Sequence, residues 1–185
     1  MSITIPALLG EKVRLRPVAE ADVPRLVRWF NTPDIRHWLH ASERPDATLE
    51  TVTDRFLRNW DNTAGVLWII ETLEGTPIGN LRLLDMDPHH RRCELAISIG
   101  EVAYLGRGYG TDAIQQSLRF AFNELGLRRV DLFTDADNER GIRCYEKCGF
   151  VREGLLRERR LRYGKPIDML VMGVLVEDWQ ARTRD

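Results

Sequence analysis

At 185 residues, 43% of them apolar and 30% charged, the chain has the material for one well-cored domain and is short for two. Its net charge of -1, with basic and acidic residues interleaved, gives no bulk field for nucleic acid or a membrane surface, and no apolar run approaches the roughly 20 residues that cross a bilayer. Cys93, Cys144 and Cys148 form an odd set with no charged and apolar leader ahead of them, so the expectation is a cytoplasmic protein with free thiols.

Val13-Arg14-Leu15-Arg16 alternates apolar and polar residues as a half-buried strand does, and Pro17 closes it. Between Glu20 and Phe30, Val23, Leu26, Val27 and Phe30 recur at helical spacing. Asp34 to His40 reads as a short second helix. Thr48 to Trp60 reads as a third, with Thr48 as N-cap and Val52, Phe56 and Leu57 on one face. Strands follow: Val66 to Leu73, a Glu74-Gly75 turn, Ile78 to Leu84, then Cys93 to Gly100. The helix Thr111 to Leu125 stops at Gly126, and the strand Arg129 to Thr134 comes next. A helix over Asn138 to Lys147, capped by Asn138 and stopped at Gly149, precedes two long strands, Phe150 to Arg162 and Pro166 to Val176, joined by Tyr163-Gly164-Lys165. No repeat or linker splits the chain, so residues 1–185 are expected to form a single domain.

The most informative stretch is Leu105 to Ala113, L-G-R-G-Y-G-T-D-A, where three alternate glycines run directly into an amphipathic helix. Glycine lets the backbone turn its N–H groups inward with no Cβ in the way, and a helix N-terminus adds about half a positive charge. Arg107 adds a cation inside the loop, and a strand comes just before it. The combination predicts an anion cradle of the kind that holds a pyrophosphate. Gly108-Tyr109-Gly110-Thr111-Asp112-Ala113 also fits the dinucleotide fingerprint G-x-G-x-x-A. That fingerprint needs a tight strand-to-helix turn, whereas Glu101 to Arg107 intervenes here and most strands form hairpins.

With this element order, the chain resembles the GNAT superfamily of N-acetyltransferases along nearly its whole length. Two segments carry the resemblance. Tyr104 to Gly110 is similar to the (Q/R)-x-x-G-x-(G/A) acetyl-CoA loop, and Asn138-x-x-Gly141-x-x-x-Tyr145-x-Lys147-x-Gly149-Phe150 follows one strand later. Within the superfamily the chain looks like the branch of ribosomal-protein N-terminal and spermidine acetyltransferases. Leu105 departs from the Gln or Arg common at its position, and Gly141 from the usual Ala or Ser.

The resemblance implies an α/β (α+β) fold, a GNAT-like domain with a mixed, mostly antiparallel sheet of about seven strands flanked by helices. It implies acetyl-CoA as cosubstrate, with Leu105 and Gly106 in the cofactor-binding loop and the backbone N–H groups of Arg107, Gly108, Tyr109, Gly110 and Thr111 at the pyrophosphate. Ile97, Ser98 and Ile99 would pair with the pantetheine arm along a splayed strand edge, and Asn138, Arg143 and Tyr145 would complete the cofactor set. Tyr145 is the implied donor of a proton to the leaving thiolate, since a phenol of pKa about 10 is protonated at neutral pH. The implied acceptor is a small polyamine or antibiotic-like amine, or a protein N-terminus, and a homodimer is common in this branch.

Glu94 is the first candidate for the base that takes the amine proton. Strand alternation puts it with Ala96 and Ser98, opposite the apolar face of Cys93, Leu95, Ile97 and Ile99. A solvated carboxylate with a water relay is the alternative, and His89 or His90 is another. Those histidines, with Asp85, Asp87 and Cys93, make the one cluster with metal-binding residue types. They lie in a turn without metal-site spacing, so no metal is expected. Cys144 and Cys148 lack a C-x-x-C pairing and read as structural. Trp29, Phe30, His37, Trp38, His40 and Trp60, with Asp34, Glu43, Asp46 and Glu50, mark where an acceptor would sit; aromatics and carboxylates together suit a cationic amine. A non-catalytic sensor of acyl-CoA uses the same loop and remains the competing reading.

Overall fold

A computed structural model describes residues 5–39, 44–58 and 65–182. Its centre is β3 (Val66–Thr72), buried at every position, because both faces of this strand are covered. Val66, Trp68 and Ile70 pack into the larger core, while Leu67 and Ile69 turn to a smaller one. Around it the strands β1 (Leu8–Leu9), β2 (Val13–Pro17), β4 (Pro77–Asp87), β5 (Arg92–Ile99), β6 (Arg129–Asp135), β7 (Val151–Arg162) and β8 (Lys165–Leu175) make one sheet in the order β1-β2-β3-β4-β5-β6-β8-β7. The single-domain GNAT-like expectation of about seven strands becomes eight through β1, whose two residues are too few for any periodicity to register.

Helices cover both faces. α1 (Val23–Asn31) and α3 (Leu49–Thr53, continuing as a π turn over Asp54–Arg58) bury Val23, Leu26, Trp29, Val52 and Phe56 on the smaller core, with the short α2 (Pro33–Arg36) between them. On the opposite face lie α4 (Tyr109–Arg119, then a π turn over Phe120–Glu124), α5 (Glu139–Lys147) and α6 (Val176–Arg182). The last strand ends at Leu175, one residue short of the expected Val176, and gives way to α6, a helix that the sequence pattern does not predict. Its seven residues are anchored by Trp179 against Phe122 at 5.4 Å between ring centroids. Thr48 caps α3 as expected, accepting from Thr51 N–H. The final two residues of the predicted Thr48 to Trp60 helix lie outside the described residues, as do His40 and Glu43.

One feature of the sheet positions the site. All strand pairs are antiparallel except β5 with β6, and that parallel pairing covers only Arg92 to Glu94 against Arg129 to Asp131. From Leu95 onward β5 stays paired with β4, through Leu83 to Gly79, and parts from β6. The sheet therefore opens as a wedge, with a row of β5 backbone groups unpaired on one side.

Candidate active site

The glycine loop lies at the mouth of that wedge. Gly106 and Gly108 have φ of 72° and 88°, left-handed conformations that glycine adopts without a Cβ penalty. Gly108 is also the residue from which α4 starts, so the helix begins at Tyr109, two residues before the predicted Thr111. The first ladder bond runs from Asp112 N–H to the Gly108 carbonyl at 3.1 Å. The N–H groups of Tyr109, Gly110 and Thr111 thus stand outside the ladder at the positive end of the helix. This arrangement fits a pyrophosphate.

Asp112 fastens the loop to the sheet. Its Oδ2 accepts from Lys12 N–H at 2.7 Å and Val13 N–H at 3.0 Å, and its Oδ1 accepts from Gln116 Nε2 at 3.2 Å. The clamp brings Lys12 over the loop, where Nζ donates to the Arg107 carbonyl at 3.1 Å. Asp112→Ala would leave two backbone donors unsatisfied, and unfolding in urea should show a loss of about 2–4 kcal/mol, with Asp112→Asn recovering part of it. A loss below about 0.5 kcal/mol would show the clamp to be dispensable.

Inside the wedge lies a cavity of about 720 Å³. Of the residues expected to form the site, Glu94, Ile97, Ser98, Ile99, Leu105, Gly106, Gly108, Tyr109, Gly110, Thr111, Asn138, Arg143 and Tyr145 all line it. The Arg107 side chain is exposed and outside the lining. Lys12, which sequence periodicity could not bring to the loop, is the cation beside Gly108. Asn138 is a helix cap: Oδ1 accepts from Gly141 N–H at 3.1 Å, and Nδ2 donates to Thr134 Oγ1 at 3.1 Å. A Cβ on residue 141 would come within 2.6 Å of that Nδ2, so a side chain there would require Asn138 to shift.

Tyr145 packs against the main core, its ring 6.1 Å from that of Phe150 and inclined at 65°. Burial pushes its phenol above the ordinary value, and the neighbouring Cys144 and Cys148 act in the same direction. It stays protonated at neutral pH. Cys144 also lines the cavity and lies 3.3 Å from Thr111 Oγ1. The neighbouring Cys148 thiol lowers the Cys144 thiol from its ordinary value, with burial opposing, while the same interaction and burial raise Cys148, whose Sγ donates to the Thr111 carbonyl at 3.6 Å. Cys93 faces the core, and burial pushes its thiol up to about 12.

Glu94, Ala96 and Ser98 share one face of β5, while Ile97 and Ile99 pack on the larger core, so the predicted alternation holds without a bulge in β5. His89 and His90 are exposed and not among the lining residues; His90 Nδ1 meets Asp87 Oδ2 at 2.7 Å within the turn. Among the described residues no three His, Cys, Asp or Glu side chains are grouped to hold a metal.

The far end of the cavity differs from the expected mixture of aromatics and carboxylates. Trp38 lines it, with the Arg162 guanidinium 5.3 Å from its ring centroid. Trp29 is core and donates to Glu101 Oε1 at 2.9 Å, Phe30 stacks on Phe56, and His37 packs between Trp38 and Tyr163. Asp34, Asp46 and Glu50 are exposed and do not line the cavity; Trp60, like His40 and Glu43, is outside the described residues. Arg44, Arg55 and Arg82 line this end of the cavity. Burial, with a contribution from Arg55, lowers the Arg82 guanidinium to about 10 while Glu94 opposes the shift.

The family model described as "Acetyltransferase (GNAT) domain" matches residues 12–151. The spermidine N(1)-acetyltransferase of Vibrio cholerae is 24% identical over 176 residues, covering 95% of this chain and 99% of that protein. The aminoglycoside N(6')-acetyltransferase type 1 of Klebsiella pneumoniae is 29% identical over 158 residues, covering 78% and 77%. Among solved structures, the Vibrio cholerae spermidine N-acetyltransferase in complex with CoA and spermine superposes with a TM-score of 0.84 at 24% identity, covering 91% of this chain and 98% of that one.

Proposed function

The chain belongs to the GNAT acetyltransferase family, and from that premise we propose that its wedge cavity is where an acetyl group passes from acetyl-CoA to a primary amine in a ternary complex. The observation that carries this reading is the parting of β5 from β6 directly beside the first turn of α4. It offers an extended backbone edge and an anion cradle in line. Acetyl-CoA, when bound, supplies the thioester.

Each part of the chain then has a task. The N–H groups of Tyr109, Gly110 and Thr111, with Lys12 above the loop, hold the pyrophosphate. Ile97 and Ile99, whose N–H and C=O turn away from β4, present free backbone groups to the pantetheine arm on either side of Ser98 and offer an N–H to the thioester oxygen. Asn138 keeps a lone pair and one N–H beyond its capping bonds, and Arg143 adds positive charge on α5. As the amine nitrogen bonds to the acyl carbon, the carbon–sulfur bond breaks, Glu94 takes the amine proton directly or through water, and Tyr145 gives its proton to sulfur. The free thiols suit a reducing cytoplasm, and Leu155 and Leu161, exposed on edge strand β7, support a homodimer.

Thiol release with a panel of amines tests the reading. Turnover is expected with at least one class, and tight acetyl-CoA binding without release on any amine would favour a sensor. Glu94→Gln should lower kcat/KM at pH 7 by about tenfold to a hundredfold, a deficit that shrinks as pH rises and the amine arrives already deprotonated. An unchanged pH profile would move the base elsewhere.

A further inference from the structure

The acceptor end of the cavity carries a charge pattern unlike that needed for a polycation. Arg44, Arg55 and Arg82 all line it, and Glu94 is the sole acidic side chain among its described lining residues. None of the three guanidiniums makes a hydrogen bond or ion pair with a described residue. Arg82 Nε is buried without a partner, a costly state for a group that carries five N–H donors. Both Arg55 and Arg82 stand against one face of structure, with guanidinium carbons 5.2 Å and 5.7 Å from the Phe56 ring centroid. Phe56 is core, and the half-buried Arg82 and the exposed Arg55 both lie beside its ring at the cavity wall.

Mutual repulsion is visible in the same place. Burial lowers the Arg55 guanidinium and Arg44 lowers it further, while Arg55 in turn helps lower Arg82. Three cations gathered around a cavity, with donors unused and one carboxylate among the described residues, repel a second or third ammonium group and attract an oxyanion. Planar guanidinium donors match a carboxylate in pairs. On β4 and β5, Arg82 lies opposite Ala96, and Glu94 lies opposite Leu84 on the same face. An amine that approaches Glu94 therefore has Arg82 one pleat away, with Arg55 and Arg44 beyond.

Resting on the acetyl-transfer reading, we infer that the acceptor is a primary amine that also carries a carboxylate, with Arg44, Arg55 and Arg82 as its recognition site. The carboxylate can belong to a free amino acid or to an acidic residue near a peptide N-terminus. Polyamines, which carry only cationic groups, are disfavoured.

The test uses three acceptors of one chain length, 5-aminopentanoate, pentylamine and 1,5-diaminopentane, and two peptides that begin with acidic or basic residues. The wild-type kcat/KM should be at least about tenfold higher for 5-aminopentanoate than for the diamine, or for the acidic than for the basic peptide, as expected for one charge-assisted hydrogen-bonded pair. The arm that responds identifies the source of the carboxylate. Arg55→Glu should collapse or invert that ratio, and Arg44→Gln, at an exposed position, should reduce it with less risk to folding. Equal rates on all acceptors, preference for the diamine and the basic peptide, or a ratio untouched by Arg55→Glu would overturn the assignment.

Calorimetric titration of 5-aminopentanoate and the acidic peptide into the protein with CoA reads recognition without turnover. Binding weakened at least about tenfold by Arg55→Glu supports the arginine site even if no acceptor is acetylated, and that outcome would count against the transfer reading alone. No binding of either ligand would overturn the arginine site.

Discussion

Tyr145→Phe is expected to lower kcat by about a hundredfold to a thousandfold while leaving acetyl-CoA affinity nearly unchanged, measured by steady-state thiol release and by equilibrium binding. The substitution keeps the ring that packs edge-on against Phe150 and removes only the hydroxyl, so packing and proton donation are separated. The direction of the phenol's shift adds a second test. Burial raises its pKa, so the acid form persists to higher pH than in a free tyrosine, and the wild-type kcat should not fall on the alkaline side until above about pH 10. Full kcat in Tyr145→Phe would mean that the thiolate is protonated by water or by another group.

Gly108→Val should abolish measurable CoA binding, an increase in Kd of about a hundredfold or more. Two causes act together there. A β-branched residue at φ of 88° costs about 1–3 kcal/mol of strain, and its Cβ would stand 3.2 Å from Lys12 Nζ. Gly110→Ala has neither. Residue 110 is in the first turn of α4 without positive φ, and an added Cβ would meet nothing nearer than Cys144 Sγ at 3.7 Å, an ordinary contact. The protein itself should therefore lose nothing and gain up to about 1 kcal/mol of helix propensity, and CoA Kd should change by less than about threefold, because the (G/A) position of the loop motif admits alanine. Unchanged affinity in Gly108→Val would place the pyrophosphate away from this turn.

The two motif segments make most of the cavity lining beside the glycine loop legible in the amino-acid order itself. Gly106 to Thr111, Asn138 and Tyr145 are local signals: the loop is contiguous, and the second group lies on one helix. Glu94 is reachable through strand alternation, which holds when no bulge intervenes. The acceptor end is not legible in this way. Arg82 reads from sequence as a half-buried strand residue, and only the β4–β5 register and the packing of α3 bring it beside Arg55 and Arg44. Of the carboxylates that suggest a cationic acceptor, the described ones, Asp34, Asp46 and Glu50, lie outside the cavity lining, Asp46 meeting Arg36 at 3.2 Å. Lys12 depends on the Asp112 clamp across about a hundred residues, which no periodicity encodes. β1 and α6 escape for a simpler reason, since each is too short for a repeating pattern.

The parting of β5 from β6 has a consequence for the molecule's mechanics. Among the described residues, three ladder pairs stitch the β1–β5 half of the sheet to the β6–β8 half. A ligand whose polar arm lies along β5 and touches α5 bridges the two halves and acts as a removable ninth strand. The energy of filling the site is then also energy of cohesion, amounting to about 2.7 kcal/mol when the ligand is present at a hundred times its Kd. Binding and release of such a ligand thus alternately staple and free the seam of the fold, and the larger core, which draws on strands of both halves, carries the cohesion between cycles.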